Sequence, residues 1–165
     1  ATSRSEVLES RDRGTGAWVS TPEGAAPIEN ELDRLDSLYG FGVRSIGVTY
    51  NEANHLDCGL RENNDSGLTN FGRRAIRRMN QLGMLIDCSH CGDQTTLDAI
   101  AASEKPIVLS HIGERALWNT NRMAPDNVLQ ACAEKGGVIG VEAAPHTTLT
   151  ASHPPHDIES VMEHS

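Results

Sequence analysis

Short apolar runs alternate with amphipathic stretches along most of this chain, and this alternation limits the folds that it can adopt. Five runs rich in β-branched residues predict strands at Ala17–Thr21, Arg44–Tyr50, Met84–Cys88, Pro106–Ser110 and Gly137–Ala143. Each run is short and almost continuously apolar, as expected of a strand that is buried on both faces. Strands that are separated by helices form a parallel sheet covered by those helices. The sequence therefore predicts an α/β fold.

Apolar periodicity and end signals predict the helices between these strands. Ile28–Tyr39 carries its leucines on one stripe, with acidic residues pointing away from it. Three further helices are expected to start at Thr69, Asp93 and Pro125, and the first and third of these end at Gly83 and Gly136. Ser, Thr and Asp favour N-caps, Pro suits a first helical position, and Gly suits the residue after a helix. Residues 156–165 form another helix-like stretch.

The length of the chain favours part of a barrel over an open sheet. A (β/α)8 barrel takes roughly 250 residues, so five of its eight units need roughly 156, close to the 165 residues present. An open, doubly wound sheet is the alternative. However, no Gly-x-Gly-x-x-Gly follows the first predicted strand, and no Gly-x-x-x-x-Gly-Lys occurs. We expect one domain over residues 1–165, a partial TIM-type barrel of about five parallel strands. Asn51–Gly67 is its one long loop.

Charge and composition exclude several classes of partner. There are 14 Lys and Arg residues against 23 Asp and Glu residues, a net charge of −9. This acidity disfavours nucleic acid and anionic membranes, which attract basic surfaces. The arginines of the run 73–78 fall on the helix face opposite Phe71, Ala75 and Met79, which predicts a solvated surface. No apolar run reaches the roughly 18 residues that a membrane span requires.

The cysteines favour reduced thiols. Cys58, Cys88, Cys91 and Cys132 are too few and too irregularly spaced for a disulfide framework in a domain of this size. A cytoplasmic setting is slightly favoured on this ground, and the localisation is otherwise undetermined. A Cys-x-x-Cys occurs at Cys88 and Cys91, which allows a redox module, although Asp87 and Asp93 would both oppose formation of a thiolate.

Polar side chains that can bind metal ions follow the predicted strands. Glu23, Tyr50, His90 and His111 each lie at or just beyond a strand end. In a parallel barrel these ends open on one face, where active sites lie. Two imidazoles and one carboxylate are a sufficient set of protein ligands for catalytic zinc, and Glu23 could also bridge two ions. Taken singly, the histidines could be structural and Glu23 a solvated turn residue.

Several motifs occur together in an order that is recognisable. They are Tyr39–Arg44, Gly67–Gly72, Leu82–His90, Pro106–His111 and Asn121–Asp126. In order and spacing the chain resembles the membrane (renal) dipeptidase family, peptidase family M19, from about Glu23 to Ala143. The resemblance implies an amidohydrolase-type (β/α)8 barrel with two zinc ions that hydrolyses dipeptides.

The resemblance also implies a role for individual residues. Glu23 corresponds to the carboxylate that bridges both zinc ions, and His90 and His111 correspond to the imidazole ligands of the second zinc. Arg122 resembles the arginine that binds the terminal carboxylate of the substrate, a task suited to a planar guanidinium. Tyr50 stands where many members have a histidine that contacts the substrate. Its phenol could donate a hydrogen bond to an oxyanion, so we expect it to be catalytic.

The chain also departs from the family pattern. The His-x-Asp pair of the first strand and the Asp of the last strand are missing, so the chain is expected to be an internal piece that holds the third to seventh strands. It should bind at most one zinc ion and hydrolyse dipeptides feebly or not at all. The open sheet edges favour self-association, for example as a homodimer. The alternative function is that of a catalytically inactive (β/α) binding domain.

Other motifs are weaker candidates for metal sites. His55-Leu56-Asp57 is a His-x-Asp sequence, but it lies inside the long loop. His153 and His156 are separated by two prolines, which predicts an exposed turn. A zinc knuckle made of Cys88, His90 and Cys91 is disfavoured, because residues so close on one strand end cannot all face one ion.

Overall fold

One parallel sheet of four strands organises the molecule in the computed structural model, which describes residues 1–144 and 147–165. The strands are β1 (Ser45–Gly47), β2 (Leu85–Asp87), β3 (Val108–Ile112) and β4 (Val138–Val141). They lie side by side in chain order, and each pair is parallel. Doubly wound sheets reverse their strand order at a switch point, whereas consecutive order is that of a barrel wall. The predicted α/β fold is confirmed.

Helices connect these strands. They are α1 (Arg4–Asp12), α2 (Asp33–Gly40), α3 (Asn70–Leu82), α4 (Asp93–Ala102), α5 (Asp126–Glu134) and α6 (Ile158–Glu163), with a short 3₁₀ helix at Ala26–Ile28. Helices α3, α4 and α5 each follow one strand and precede the next. Helix α1 is not predicted by the sequence patterns. None of the helices in the described part of the chain is long and apolar enough to cross a membrane.

The first predicted strand, Ala17–Thr21, does not form as a regular strand. Only Ser20 forms a parallel bridge, with Val43, and the carbonyl of Pro22 accepts a hydrogen bond from the backbone N–H of Gly47. Pro22 has no N–H to donate, so it cannot extend the ladder. Trp18 is 89% exposed. The segment therefore lies at the position expected for a neighbouring strand but forms only isolated contacts with β1.

Two helix starts also differ from the prediction. The stretch predicted as one helix over Ile28–Tyr39 is interrupted at Glu29, whose φ of +47° lies outside the helical region. At α4 the N-cap is Gly92 rather than Asp93. The carboxylate of Asp65, from the long loop, accepts hydrogen bonds from the backbone N–H groups of Gln94 and Thr95. A side chain distant in sequence therefore caps this helix.

Helix α3 forms as the sequence predicts. The side chain of Thr69 accepts a hydrogen bond from the backbone N–H of Gly72, and Gly83 ends the helix with a φ of +73°. Ala75, Ile76 and Met79 are fully buried against the sheet. The arginines of the run 73–78 lie on the other side, exposed or half-buried, as expected of a solvated face.

The core lies under β1 to β3, and β4 is more open. Ile46, Ile86 and Leu109 are almost completely buried, whereas Val138 and Ile139 in β4 are 64% and 37% exposed. Burial on both faces is predicted for every strand and is wrong for β4, and it is also wrong for β2 at Leu85, which is 43% exposed. Strand β4 is the last in the sheet, and no described strand pairs with its free edge.

The long loop at Asn51–Gly67 contains a buried carboxylate. Asp57 is only 2% exposed, and its Oδ1 has no hydrogen-bond partner among the described residues. Its Oδ2 accepts a weak hydrogen bond from the thiol of Cys91 at 3.5 Å. Burial raises the pKa of Asp57 from 3.8 to about 7, because the charged form is poorly solvated there. The fold therefore favours the protonated acid.

This buried acid makes stability depend on pH. Between about pH 4 and pH 7 the unfolded chain has released the proton of Asp57 while the folded chain still binds it. The free energy of unfolding should therefore fall as the pH rises, by at most about 1.4 kcal/mol per pH unit. Asp57→Asn should remove this slope, as measured by urea denaturation at pH 4.5, 5.5 and 6.5. Asp12→Asn, at an exposed position, is the control and should keep the slope. An identical slope in Asp57→Asn and the unmodified chain would contradict the assignment.

Candidate metal centre

Glu23, His90 and His111 converge at one edge of the sheet. One ligand atom from each lies within 4.8 Å of the others. The two Nε2 atoms of the histidines are 2.9 Å apart, and Nε2 of His111 is 3.5 Å from Oε1 of Glu23. The imidazoles are half-buried, while the carboxylate is exposed. The structure thus brings together three residues that are far apart in the sequence.

Their placement differs in one respect from the expectation. His90 follows the end of β2, as predicted, but His111 lies within β3 rather than beyond it, because that strand continues to Ile112. The β3–β4 register shifts between Leu109 and Ile112. An irregularity of this kind redirects side chains at the end of a strand. The shift coincides with the position of His111.

Gly47 allows the Glu23 segment to lie close to β1. A β-carbon at this position would be 2.9 Å from the carbonyl carbon of Glu23, closer than a side chain tolerates. The backbone N–H of Gly47 also donates to the carbonyl of Pro22 at 2.9 Å. The absence of a side chain at the end of β1 therefore lets Glu23 approach the histidines.

An amide oxygen fixes the protonation of His90. Nδ1 of His90 lies 2.8 Å from Oδ1 of Asn51, an atom that can only accept a hydrogen bond. Nδ1 therefore carries the proton, and Nε2 of the neutral ring presents a lone pair. Burial, followed by the charge of Arg122, lowers the pKa of His90 to about 4. The imidazole is therefore neutral at physiological pH and able to bind a cation.

A serine and an aspartate fix His111 in the same way. The hydroxyl of Ser110 donates to Oδ2 of Asp87 and lies 2.7 Å from Nδ1 of His111. A hydroxyl has one proton, so if that proton goes to Asp87, the oxygen accepts from Nδ1–H of His111. Nε2 of His111 is then also unprotonated. Hydrogen bonds from the other ring nitrogen orient metal-binding histidines in this manner.

The Nε2 atoms of His90 and His111, 2.9 Å apart, can share a proton or bind one cation between them. A neighbouring carboxylate adds further negative potential. Zinc binds imidazole nitrogen and carboxylate oxygen at about 2.0–2.2 Å, so the separations of 2.9 Å between the two imidazole nitrogens and 3.5 Å between His111 and Glu23 are within the reach of one ion. The His2Glu set thus fits zinc in donor type and in these two spacings. Three protein ligands leave a coordination position for water.

The three candidate ligands line an open cavity of about 450 Å³ together with Tyr50 and Arg122. The ring of Tyr50 is 53% exposed, and its centroid lies 4.5 Å from that of His90. The guanidinium of Arg122 donates to the backbone carbonyls of Ser89 at 2.8 Å and His111 at 2.7 Å. All five predicted site residues therefore share one cavity. Their roles in it belong to the proposed function.

Two weaker metal candidates do not form sites in the described part of the chain. His55 is exposed and Asp57 is buried, so the two side chains of this His-x-Asp sequence do not face one common metal ion. His153 and His156 are half-buried rather than in an exposed turn. The first lies 3.3 Å from Oε1 of Glu163, and the second 3.1 Å from Oγ1 of Thr148. These contacts reduce their exposure.

The geometry of the cysteines opposes the redox alternative. All four cysteines are free, and Cys88 and Cys91 are buried. Burial raises the pKa of the Cys91 thiol well above its ordinary value, whereas a redox-active cysteine needs a lowered pKa and access to its partners.

The sequence reasoning missed three residues that support the centre and one that pairs with Arg122. Asn51, Asp87 and Ser110 form the hydrogen bonds around the imidazoles, and Glu142 pairs with Arg122 at 3.0 Å. A usable signal existed, because each is a polar residue at or beside the carboxyl end of a predicted strand. The sequence pattern singles out side chains at these strand ends that can bind a metal ion, and it gives no weight to the polar residues next to them.

The chain matches the family described as membrane dipeptidase (peptidase family M19) over residues 1–164. The chain belongs to this family. The relatives include Dipeptidase 3 of Homo sapiens and of Macaca fascicularis, each 31% identical over 125 residues. In both cases the match covers 72% of this chain and 26% of the relative. The chain thus spans about a quarter of the length of these two relatives.

Solved structures place the fold in the same family. An amidohydrolase from Pseudomonas aeruginosa superposes with a TM-score of 0.87 at 27% identity, covering 99% of this chain and 52% of that one. The probable dipeptidase PvdM from the same organism gives a TM-score of 0.82 at 31% identity, covering 90% of this chain and 39% of that one. The chain therefore shares the fold of these two structures, and its four consecutive parallel strands form part of a TIM-type barrel.

The hydrogen bond from His111 to Ser110 should affect metal affinity. Ser110→Ala removes the hydroxyl that orients Nδ1, so we expect zinc affinity to fall by about 10- to 100-fold. Competition with a chromophoric chelator measures this change. Ser37→Ala, on the exposed face of α2, is the matched control and should bind zinc like the unmodified chain. Equal affinities in Ser110→Ala and the control would show that this hydroxyl has no part in the site.

Proposed function

We propose that this protein is a zinc-dependent hydrolase of dipeptides. Membership of the M19 family supports the reaction class. The observation that carries the choice of cofactor is the approach of the two imidazole Nε2 atoms to 2.9 Å, with the carboxylate of Glu23 beside them. Imidazole and carboxylate together suit zinc better than they suit Mg²⁺ or Ca²⁺, which prefer oxygen ligands.

The residues of the cavity have separate roles in this proposal. Glu23, His90 and His111 hold the metal ion, with Asn51 and Ser110 orienting the imidazoles. When bound, zinc supplies a water molecule acidic enough to lose its proton near neutral pH. Arg122 binds the terminal carboxylate of the dipeptide and so places the peptide bond near the ligands. The phenol of Tyr50 donates a hydrogen bond to the carbonyl oxygen as negative charge develops on it.

This chain by itself should hold one zinc ion. Among residues 1–144 and 147–165, one group of three metal-binding side chains converges, at Glu23, His90 and His111. The two-zinc centre implied by the family resemblance needs further ligands. We therefore propose that the whole protein uses two zinc ions, and that the 165-residue chain hydrolyses dipeptides feebly or not at all.

The exposed edge of the sheet supports a proposal about assembly. Val138 and Ile139 of β4 are partly open to solvent, and no strand of the described chain pairs with the outer edge. Open parallel edges with apolar side chains favour pairing with another chain. We propose that the 165-residue chain self-associates, and that light scattering finds a mass above that of a monomer.

A catalytically inactive binding domain is the second candidate. The ion pair of Arg122 with Glu142 favours it, because a guanidinium that is already paired is less available to a substrate. Metal content separates the two candidates, since an inactive domain of this kind does not require an ion at His90.

Loss of one imidazole should remove the metal. His90→Ala takes away one of three protein ligands, so zinc content should fall from about one ion per chain to nearly none. Elemental analysis after dialysis against trace zinc measures this. His55→Ala, which changes an exposed histidine outside the centre, should keep its zinc. Equal zinc content in both variants would contradict the proposed centre.

Turnover tests the proposal that the chain alone is feebly active. The zinc-loaded 165-residue chain should release amino acids from a mixture of dipeptides at a rate close to that of His90→Ala, as measured by a ninhydrin or coupled assay. Rapid hydrolysis that is lost in His90→Ala would show that one metal ion suffices and would overturn the two-ion proposal. It would still support dipeptide hydrolysis.

A further inference from the structure

Glu142 carries a largely buried negative charge in the wall of the metal cavity. It directly follows β4, and its backbone N–H donates to the carbonyl of Ile112 at 3.0 Å. Its side chain is 14% exposed and lies 3.0 Å from Nη2 of Arg122, whose side chain is 13% exposed. Both line the cavity that contains the metal ligands. A buried charge needs a partner, and each of these groups is the ionic partner of the other.

The contacts of Arg122 are unequal. Its two terminal nitrogens form well-aligned hydrogen bonds to the carbonyls of Ser89 and His111. The Oε2 atom of Glu142, although within ion-pair distance, forms no aligned hydrogen bond with any described residue. The backbone therefore orients the guanidinium, while Glu142 neutralises its charge. A carboxylate held by charge without aligned hydrogen bonds is the contact most easily exchanged for another carboxylate.

We propose that Glu142 is a specificity-determining residue, which competes with the carboxylate of a ligand for the guanidinium of Arg122. This rests on the proposed function, in which Arg122 binds the terminal carboxylate of a dipeptide. A ligand carboxylate that approaches Arg122 meets the like charge of Glu142 and binds only when that charge is displaced. Glu142 thus weakens the binding of anionic ligands. The effect is largest for a ligand whose carboxylate is its sole contact with the site.

The hydrogen bonds of Arg122 support this role. Its guanidinium nitrogens donate to the backbone carbonyls of Ser89 and His111. The two backbone carbonyls would continue to hold the guanidinium if Glu142 became neutral. A neutral side chain of the same size at position 142 should therefore leave Arg122 in place with its charge uncompensated.

Acetate, the simplest carboxylate, tests the competition without any need for hydrolysis. The 165-residue chain is titrated with acetate while the side-chain N–H signals of Arg122 are followed by NMR. Glu142→Gln should bind acetate about tenfold more tightly than the unmodified chain, because a like charge beside the site has been removed. Arg122→Gln added to Glu142→Gln should abolish this gain. Equal or weaker binding in Glu142→Gln, or no binding in either protein, would overturn the proposal.

The experiment has one control variant and one replacement variant. Glu134→Gln makes the same change of net charge at an exposed position in α5, and it should leave acetate binding unchanged. If Glu142→Gln fails to fold, as judged by circular dichroism, Glu142→Asp replaces it. The shorter side chain withdraws the carboxylate from Arg122, so a smaller gain in the same direction is expected, and no gain would overturn the proposal.

A dipeptide analogue separates this proposal from the proposed function. A phosphinate analogue with a free terminal carboxylate, and its terminal amide, are titrated into the zinc-loaded proteins by calorimetry. The free acid should gain affinity in Glu142→Gln, and the amide should not. If neither analogue binds to any of the proteins, dipeptide recognition by this chain is contradicted, while the acetate titration still decides the role of Glu142. A gain for acid and amide alike would show that Glu142 does not compete with the carboxylate.

Discussion

The carboxylate of Asp87 joins the ends of two strands, and the candidate metal centre depends on this junction. Asp87 is the last residue of β2. It accepts hydrogen bonds from the backbone N–H and hydroxyl of Ser89 at 3.1 and 2.6 Å, and from the backbone N–H of Ser110 at 3.2 Å. The hydroxyl of Ser110 completes the set. One side chain thus links β2 and β3 beside His111 in β3 and His90 just after β2. Because Ser110 also contacts His111, the same carboxylate determines which nitrogen of that imidazole faces His90.

The charges around the cavity are arranged in two layers. Close to the sheet, Arg122 binds backbone carbonyls beside both histidines and is neutralised by Glu142. Nearer to solvent, the carboxylate of Glu23 lies beside the imidazole nitrogens. A cation or a proton at this point would reduce the repulsion among their lone pairs. The low pKa of His90 follows from this arrangement, since burial and the guanidinium both oppose a positive charge on the ring. The neutral ring of His90 is therefore able to bind a cation.

Sequence patterns located most elements but placed several ends incorrectly. Helix α3 has its stop and start signals within its own sequence, at Thr69 and Gly83, and it formed as predicted. Helix α4 also formed where it was predicted, but its first turn is capped by Asp65, a side chain of the long loop, and not by Asp93. The strand predicted at Ala17–Thr21 has the apolar composition of a strand, yet Pro22 lacks the N–H that would continue the ladder. Local signals predict an element well when its ends are stabilised locally.

By itself, the sequence determined the alternation of strands and helices, the parallel sheet, and the residue types that can bind zinc at strand ends. Those features depend on periodicity and on side-chain chemistry, both of which are written in neighbouring residues. The tertiary structure alone decided that His111 lies within β3, that Asn51 and Ser110 orient the imidazoles, and that Glu142 faces Arg122. Each of these depends on the register of one strand against the next and on the path of a loop between them. A shift of one residue turns a side chain to the opposite face of a sheet, so contacts of this kind are fixed only when the strands are packed together.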